Sequence, residues 1–383
     1  MILAFWTLLF LIIYCYAIYP LIVFLLARLN PYPILKADIK PTVSIVISLY
    51  NEEDVIAVKI NNLLEADYPP EKLEILIGSD GSTDRTHAII RQFTDKRINL
   101  IINPKRQGKM ATLNELVPKA RNEIIVFTDA RQILDKDAIR KLVSNFADPK
   151  IGCVSGELLF VSVDGGVAQG VNLYWNYEKF IRRQESSIHS MLGATGAICA
   201  IRKSLFVPGP VNIVLDDMHT PFKIIQQGYR AVMDDAAHAY DQVAVNPQEE
   251  YRRKTRTIYG NYQIFAMFPG LFNPLASPVS FQLFSHKFLR VIIPFFLIAL
   301  FIINFFLRHD PVFAILWDLQ VIFYLLAIIG FFTRRNKRKI FKYLTKLCYI
   351  PYVFCLLNFS AFIGFWLFIF SKQETTWKKA RDI

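Results

Sequence analysis

Residues 2–27 carry no charge at all, and the run ends at Arg28. It exceeds the roughly 20 apolar residues that a helix needs to cross a bilayer core. It also lacks the basic start and small-residue cleavage site of a signal peptide, so it predicts a retained anchor. Three more apolar segments crowd the other end, at 288–307, 311–332 and 347–370, too long for ordinary buried core helices. With 53% hydrophobic residues and a mean hydropathy of +0.31, the chain is too apolar for a soluble enzyme of this size. Its ends must sit in lipid, and chemistry is to be sought between them.

Positive charge beside the spans indicates which side holds that middle part. Arg28, Lys36 and Lys40 follow the first span, and "RRNKRK" at 334–339 separates the last two. The excess of cations in these flanks predicts that they and the globular part are cytoplasmic, with the N-terminus outside. The basic tail "SKQETTWKKARDI" conflicts, because three C-terminal crossings would export it. Either the tail breaks the charge rule, or one segment is interfacial or re-entrant. The net charge of +12 lies largely beside the spans and no nucleic-acid motif accompanies it, so attraction to anionic headgroups explains it and a nucleic-acid partner is excluded. Five cysteines stand singly, without metal or disulfide spacing, which fits a reducing compartment.

The middle region alternates strand and helix patterns. "PTVSIVISLYNEEDVI", "LEILIGSDGSTD", "INLIINPKRQGKM" and "EIIVFTDARQ" are apolar, β-branched runs whose polar residues gather at the C-terminal end, with helical patterns such as "VKINNLLEA" and "RTHAIIRQF" between them. That alternation predicts an α/β domain with a largely parallel sheet. Ligands in such sheets bind outside the carboxyl ends of the strands, where the Asp-rich turns fall. No internal repeat or low-complexity tract interrupts the pattern.

In order along the chain, "SIVISLYNEED", "SDGSTD", "GKMATLNE", "FTDA", "GATGAICAIRKSLF", "LDDMHTPFKI" and "RRKTRTIYGN" resemble the motif set of the membrane-bound family 2 glycosyltransferases. Cellulose, hyaluronan and poly-N-acetylglucosamine synthases belong to that group. The resemblance covers about residues 41–265 and implies a GT-A (Rossmann-like, nucleotide-sugar-binding) fold and inverting transfer from a nucleotide sugar, usually a UDP-sugar. The expected organisation is an anchor at 1–28, a cytoplasmic GT-A domain at 41–246, amphipathic interfacial segments at 247–287, about three transmembrane helices at 288–371, and a basic tail at 372–383. The expected setting is the inner or plasma membrane, with membrane lipids around the spans.

Each task of a nucleotide-sugar site has candidates. Glu52 and Asp80 end the first two strands, where carboxylates can accept hydrogen bonds from ribose hydroxyls or a base edge; the resemblance makes Asp80 the principal nucleotide contact. Helix capping and turn formation explain the same residue types. Gly108 and Lys109 precede a helix, so backbone N–H groups and a cation can face phosphate, without the glycine spacing of a P-loop. The resemblance assigns Asp217 as the general base. Asp216 beside it, with partial burial, would strengthen an otherwise weak carboxylate base. Gly193, Thr195 and Gly196 belong to a small-residue loop that lets an acceptor sugar or lipid headgroup approach the backbone. The resemblance assigns Arg253 and Arg256 to the departing diphosphate. Thr257 stands where the family carries a tryptophan that lines the acceptor site, which leaves a glycan or a lipid acceptor open.

The family's Asp-x-Asp is here Asp129, Ala130 and Arg131. The resemblance implies Mg²⁺ or Mn²⁺ at Asp129, but the second carboxylate is lost. Asp129 can hold the ion with water, phosphate oxygens and another side chain such as His219, since Mg²⁺ takes few protein carboxylates. Arg131 can instead face the diphosphate with its own fork. A third arrangement turns Arg131 away to pair with a surface acid.

Overall fold

The computed structural model describes residues 1–161, 166–242, 247–333 and 342–370. Strands β1 (Val43–Leu49), β2 (Leu73–Asp80), β3 (Ile98–Asn103), β4 (Ile124–Phe127), β5 (Ile133–Leu134), β6 (Ile151–Val161), β7 (Cys199–Arg202) and β8 (Arg230–Gln242) form one sheet in the order β3-β2-β1-β4-β7-β6-β8-β5. The four strands with motif ends, β1 to β4, are parallel. Beyond them β7 runs antiparallel to both β4 and β6, and β5 runs antiparallel to β8. The expected parallel sheet is therefore half of a mixed one. The reason is that β6 to β8 have no hydrophobic block bounded by turn residues that periodicity could isolate.

Side chains alternate across the sheet with period two. Ile45 and Ile47 face one core with Ile60 and Leu63 of the helix Ile56–Leu64 and Leu142 of the helix Ala138–Ser144. Val46 faces the other core with Leu113 of the helix Lys109–Lys119 and Phe222 and Ile225 of the helix Asp216–Gln226. Burial on both faces is why β1 and β2 read as nearly continuous apolar runs.

Among the described residues four helices are long and apolar enough to cross a membrane: Ile2–Leu29, Ser280–Leu307, Pro311–Thr333 and Leu347–Phe370. The second starts before the segment that hydropathy picks out. Its polar His286, Lys287 and Arg290 meet Glu178 and Glu185, so pairing rather than apolarity makes the first turns possible. The carboxylates come from the helix Gly166–Ile188, whose mixed polar surface gives no clear stripe in the sequence. The helix Pro247–Met267 packs on the last span: at Gly364 an added Cβ would meet Ile258 Cγ2 at 2.6 Å. Val279, Leu283 and Val291 share the core of Phe222, so the membrane-length helices and the sheet are packed as one body. The five cysteines are free thiols, two of them, Cys153 and Cys199, with sulfurs 3.6 Å apart in the core. The tail at 371–383 and the "RRNKRK" run lie outside the described residues.

Candidate active site

The parallel strands deliver their polar turns to one edge. Asn51, just after β1, holds a left-handed backbone at φ 52°, a conformation that Asn tolerates better than most residues. Its Oδ1 accepts from Thr83 N at 2.7 Å and its N–H donates to Ser82 Oγ at 3.0 Å, tying the turns after β1 and β2 together. Glu52 lies in the first turn, half-buried, with its N–H donating to Thr86 Oγ1 at 2.9 Å. Asp80 is 4% exposed, and its two oxygens accept from Gln107 N at 2.7 Å and Gly108 N at 2.8 Å. Here its carboxylate shapes the turn that launches Lys109. Arg106 lies 3.7 Å over the Tyr50 ring at the same edge, a pair that the sequence reading missed.

Lys109 is the centre of the arrangement. Its Nζ donates to Asp129 Oδ1 at 2.9 Å and stands 3.2 Å from Asp216 Oδ2. Burial opposes the charge on Lys109, but Asp129 and Asp216 outweigh it and hold the ammonium above its ordinary pKa. Asp217 is half-buried, with its Oδ1 shielded from solvent and lacking a hydrogen-bond partner. Burial first, then the neighbouring Asp216, push its pKa up to about 6 against the pull of Lys109 and Arg182. That value suits a proton acceptor near neutral pH. Ala194 N donates to the Asp217 carbonyl at 2.7 Å, which fastens the small-residue loop to the start of the Asp216–Gln226 helix. At Gly193 the backbone has φ +132°, and at Gly196 an added Cβ would lie 3.3 Å from Lys109 Nζ and 4.0 Å from Asp217 Cβ. Glycine therefore leaves space beside Asp217 and Lys109 that a side chain would fill. Thr195 N donates to Ser155 Oγ at 2.9 Å, and its own Oγ1 accepts from Arg182.

Arg256 lies within electrostatic reach of Asp216 and Asp217; burial lowers its pKa and the two carboxylates oppose that. The side chain of Arg253 lies outside the described residues. Arg131 neither faces the Asp129 side nor pairs with a surface acid: its Nη2 is 2.9 Å from Oδ2 of Asp241, a nearly buried carboxylate that also accepts from Gln132 Nε2 at 2.8 Å. Strand β8, invisible to the periodicity argument, supplies that partner. His219 is buried against Phe268, ring centroids 5.7 Å apart, and next to Gly209. Burial and then Lys223 lower its pKa to about 4, so it is a neutral core residue.

A divalent ion can be tested against these donors. Among the described residues no three His, Cys, Asp or Glu side chains converge to hold a metal by themselves. Asp129 presents one carboxylate, with its side chain 32% exposed, and Lys109 stands between it and Asp216. One such oxygen donor fits Mg²⁺ or Mn²⁺ when diphosphate and water complete the shell. Behind Asp129 lies a residue that the sequence reading passed over: Lys59, fully buried, donates to Thr128 Oγ1 at 2.8 Å and to the Gln132 carbonyl at 2.6 Å. Thr128 Oγ1 in turn donates to the Ala197 carbonyl at 2.8 Å. Its signal was a lone lysine on the apolar face of a predicted helix.

Residues 44–207 match the profile described as Glycosyl transferase family 2. A poly-beta-1,6-N-acetyl-D-glucosamine synthase of Staphylococcus aureus is 25% identical over 243 residues, 62% of this chain and 58% of that protein, so the chain matches little more than half the relative's length. A protein of Bacillus subtilis described as probable glycosyltransferase YdaM is 25% identical over 376 residues, covering 88% of this chain and 86% of that one. Among solved structures, a mannosyltransferase, PcManGT, from Pyrobaculum calidifontis, in complex with GDP-Man and Mn²⁺, aligns over 97% of this chain and 99% of its own with a TM-score of 0.73 and 22% identity, a likeness of fold. A GT-A sheet joined to membrane-length helices, with motif carboxylates on its carboxyl edge, carries a glycosyl transferase family 2 match over residues 44–207, and the chain is similar to the poly-N-acetylglucosamine synthases.

Proposed function

We propose that the chain is an integral membrane enzyme that transfers a sugar, with inversion, from a UDP-sugar to a growing polysaccharide at the cytoplasmic face of the cell membrane. The observation that carries this reading is Asp217, a half-buried carboxylate with its pKa pushed up to about 6, beside the glycine-bearing loop and the Lys109 ammonium. Asp217 takes the proton of the acceptor hydroxyl as that oxygen bonds to the anomeric carbon. The bond from this carbon to the diphosphate breaks on the opposite face. Lys109 and Arg256, with Arg253 by family resemblance, carry cationic charge toward the leaving diphosphate. Asp129 is the residue that would hold Mg²⁺ or Mn²⁺, whose charge would offset that of the leaving group. Glu52 and Asp80 order the nucleotide end. The cytoplasmic placement rests on the basic flanks of the spans.

A second reading, addition of one sugar to a membrane lipid, is favoured by Thr257 in place of the family's tryptophan and by the core that the catalytic sheet shares with the span Ser280–Leu307. The test is product size from detergent-solubilised protein given labelled UDP-sugars with Mg²⁺ or Mn²⁺, with Asp217→Asn as control. A ladder or high-mass product supports the polymer reading. A single sugar on an extractable lipid replaces it with the second, and no product from any donor overturns both.

A further inference from the structure

On the membrane side of Asp217 lies a buried group of charges that the transfer step does not use. Glu178, Arg182 and Glu185 come from the helix Gly166–Ile188; His286, Lys287 and Arg290 come from the start of the span Ser280–Leu307. Glu185 accepts from Tyr19 Oη at 2.6 Å and lies 2.8 Å from His286 Nδ1. Glu178 is shared by His286 at 3.3 Å, Lys287 at 3.4 Å and Arg290. Among the described residues His286, Lys287 and Arg290 thus share Glu178, and Arg182 reaches neither carboxylate at hydrogen-bond distance.

Arg182 is a member whose hydrogen-bonding needs are not all met. A guanidinium offers five N–H donors, yet among the described residues Arg182 makes one hydrogen bond, Nη1 to Thr195 Oγ1 at 3.4 Å, and its Nε is buried without a partner. Arg182 is half-buried, and a buried N–H left without an acceptor is costly unless a ligand completes it. Arg182 lies within electrostatic reach of Asp217, and Lys287 within reach of both. Its bond to Thr195 places it on the loop of Gly193 and Gly196, whereas Asp129 and Lys109 mark the diphosphate end.

We propose that Arg182 and Lys287 form an anion-binding subsite on the acceptor side of Asp217, and that its ligand is the phosphate of a membrane lipid. The inference deepens the transferase reading and rests on it: the bound lipid, or a glycan carried on it, presents its hydroxyl to Asp217. Phosphate suits a planar fork paired with an ammonium. A lipid source is favoured over a free anion because Lys287 belongs to a membrane-length helix and Tyr19 of the first span closes the other side.

The test uses full-length Asp217→Asn protein in neutral detergent, so that turnover cannot consume the ligand. Binding is measured for a short-chain phosphatidic acid, the matching diacylglycerol, inorganic phosphate and a UDP-sugar. Phosphatidic acid should bind more tightly than diacylglycerol or inorganic phosphate. Adding Arg182→Gln should weaken it at least about tenfold, the scale for truncating one partner of a charged contact, while Arg182→Lys keeps most of the affinity and UDP-sugar binding stays within about twofold. Equal binding of inorganic phosphate would overturn the lipid assignment. Equal binding of diacylglycerol, or no phosphatidic acid binding by correctly folded protein, would overturn the anion subsite. A loss confined to UDP-sugar binding would assign Arg182 to the donor instead. Failure of the UDP-sugar to bind even with Arg182 intact would count against the transferase reading, separately from the lipid result.

Discussion

Lys109 Nζ stands 2.9 Å from Asp129 Oδ1, and on its other side Asp216 closes to 3.2 Å. One ammonium therefore links the carboxylate of the expected diphosphate end to the acidic pair that opens the Asp216–Gln226 helix, and four predictions follow from the surroundings it creates.

Asp217→Asn removes the proton acceptor but keeps size and burial. Turnover should fall by about 10²- to 10⁴-fold, the usual contribution of a positioned base, with UDP-sugar affinity little changed. Single-turnover rates and donor titrations on the same preparation check both halves; a variant with full turnover would remove Asp217 from the mechanism.

The raised Asp217 pKa has consequences for pH. The base must be ionised, so kcat/KM should fall as pH drops through about 6, and the limb should be absent from the residual activity of Asp217→Asn. For stability the sign is opposite to that of a paired surface acid. The folded pKa, about 6, exceeds the unfolded value near 3.8, so the destabilisation is absent below pH 4, grows between pH 4 and 6, and is complete above it. At pH 7.5 Asp217→Asn should be the more stable protein by about 2–3 kcal/mol, a difference that disappears at pH 4 in denaturant melts.

Gly196→Val places a branched side chain where Lys109 Nζ is 3.3 Å and Asp217 Cβ 4.0 Å from the added Cβ. It should lower turnover by at least about 100-fold, the scale for displaced reacting groups, while thermal unfolding shifts little, since the added Cβ would meet only the end of the flexible Lys109 side chain and Asp217 Cβ. Full activity would show that no acceptor passes Gly196.

Arg131→Ala separates the structure from the arrangement in which that guanidinium binds the donor. Arg131 engages Asp241 at 2.9 Å and is itself 45% exposed, so donor affinity should stay within about twofold, and stability should fall by about 1–3 kcal/mol because the nearly buried Asp241 loses a charged partner. Isothermal titration with a UDP-sugar decides the matter: a tenfold loss would restore Arg131 to the diphosphate.

Local pattern was sufficient for what is local. Charge-free runs longer than a bilayer core mark the spans by themselves, and β-branched blocks ending in "YNEED", "SDGSTD" and "TDAR" mark β1, β2 and β4 with their site residues. The helix Gly166–Ile188 and strands β6 and β8 carry weaker signals, because charged positions that face buried partners read as solvent-facing. Lys59 shows the same effect, a buried ion whose acceptors, Thr128 and the Gln132 carbonyl, lie on another strand's end.

The sequence by itself determined the four membrane-length apolar segments and the α/β alternation and singled out Asp129, Lys109 and Asp217 as candidates, since each follows from hydropathy, period or motif within a few neighbours. Only the tertiary structure decided how charges pair: Lys109 between Asp129 and Asp216, Arg131 with Asp241, Arg182 toward Thr195, and His286 between Glu178 and Glu185. Such pairings join residues far apart in the chain, and Coulomb energy depends on their separation in space and on burial, neither of which a one-dimensional pattern contains.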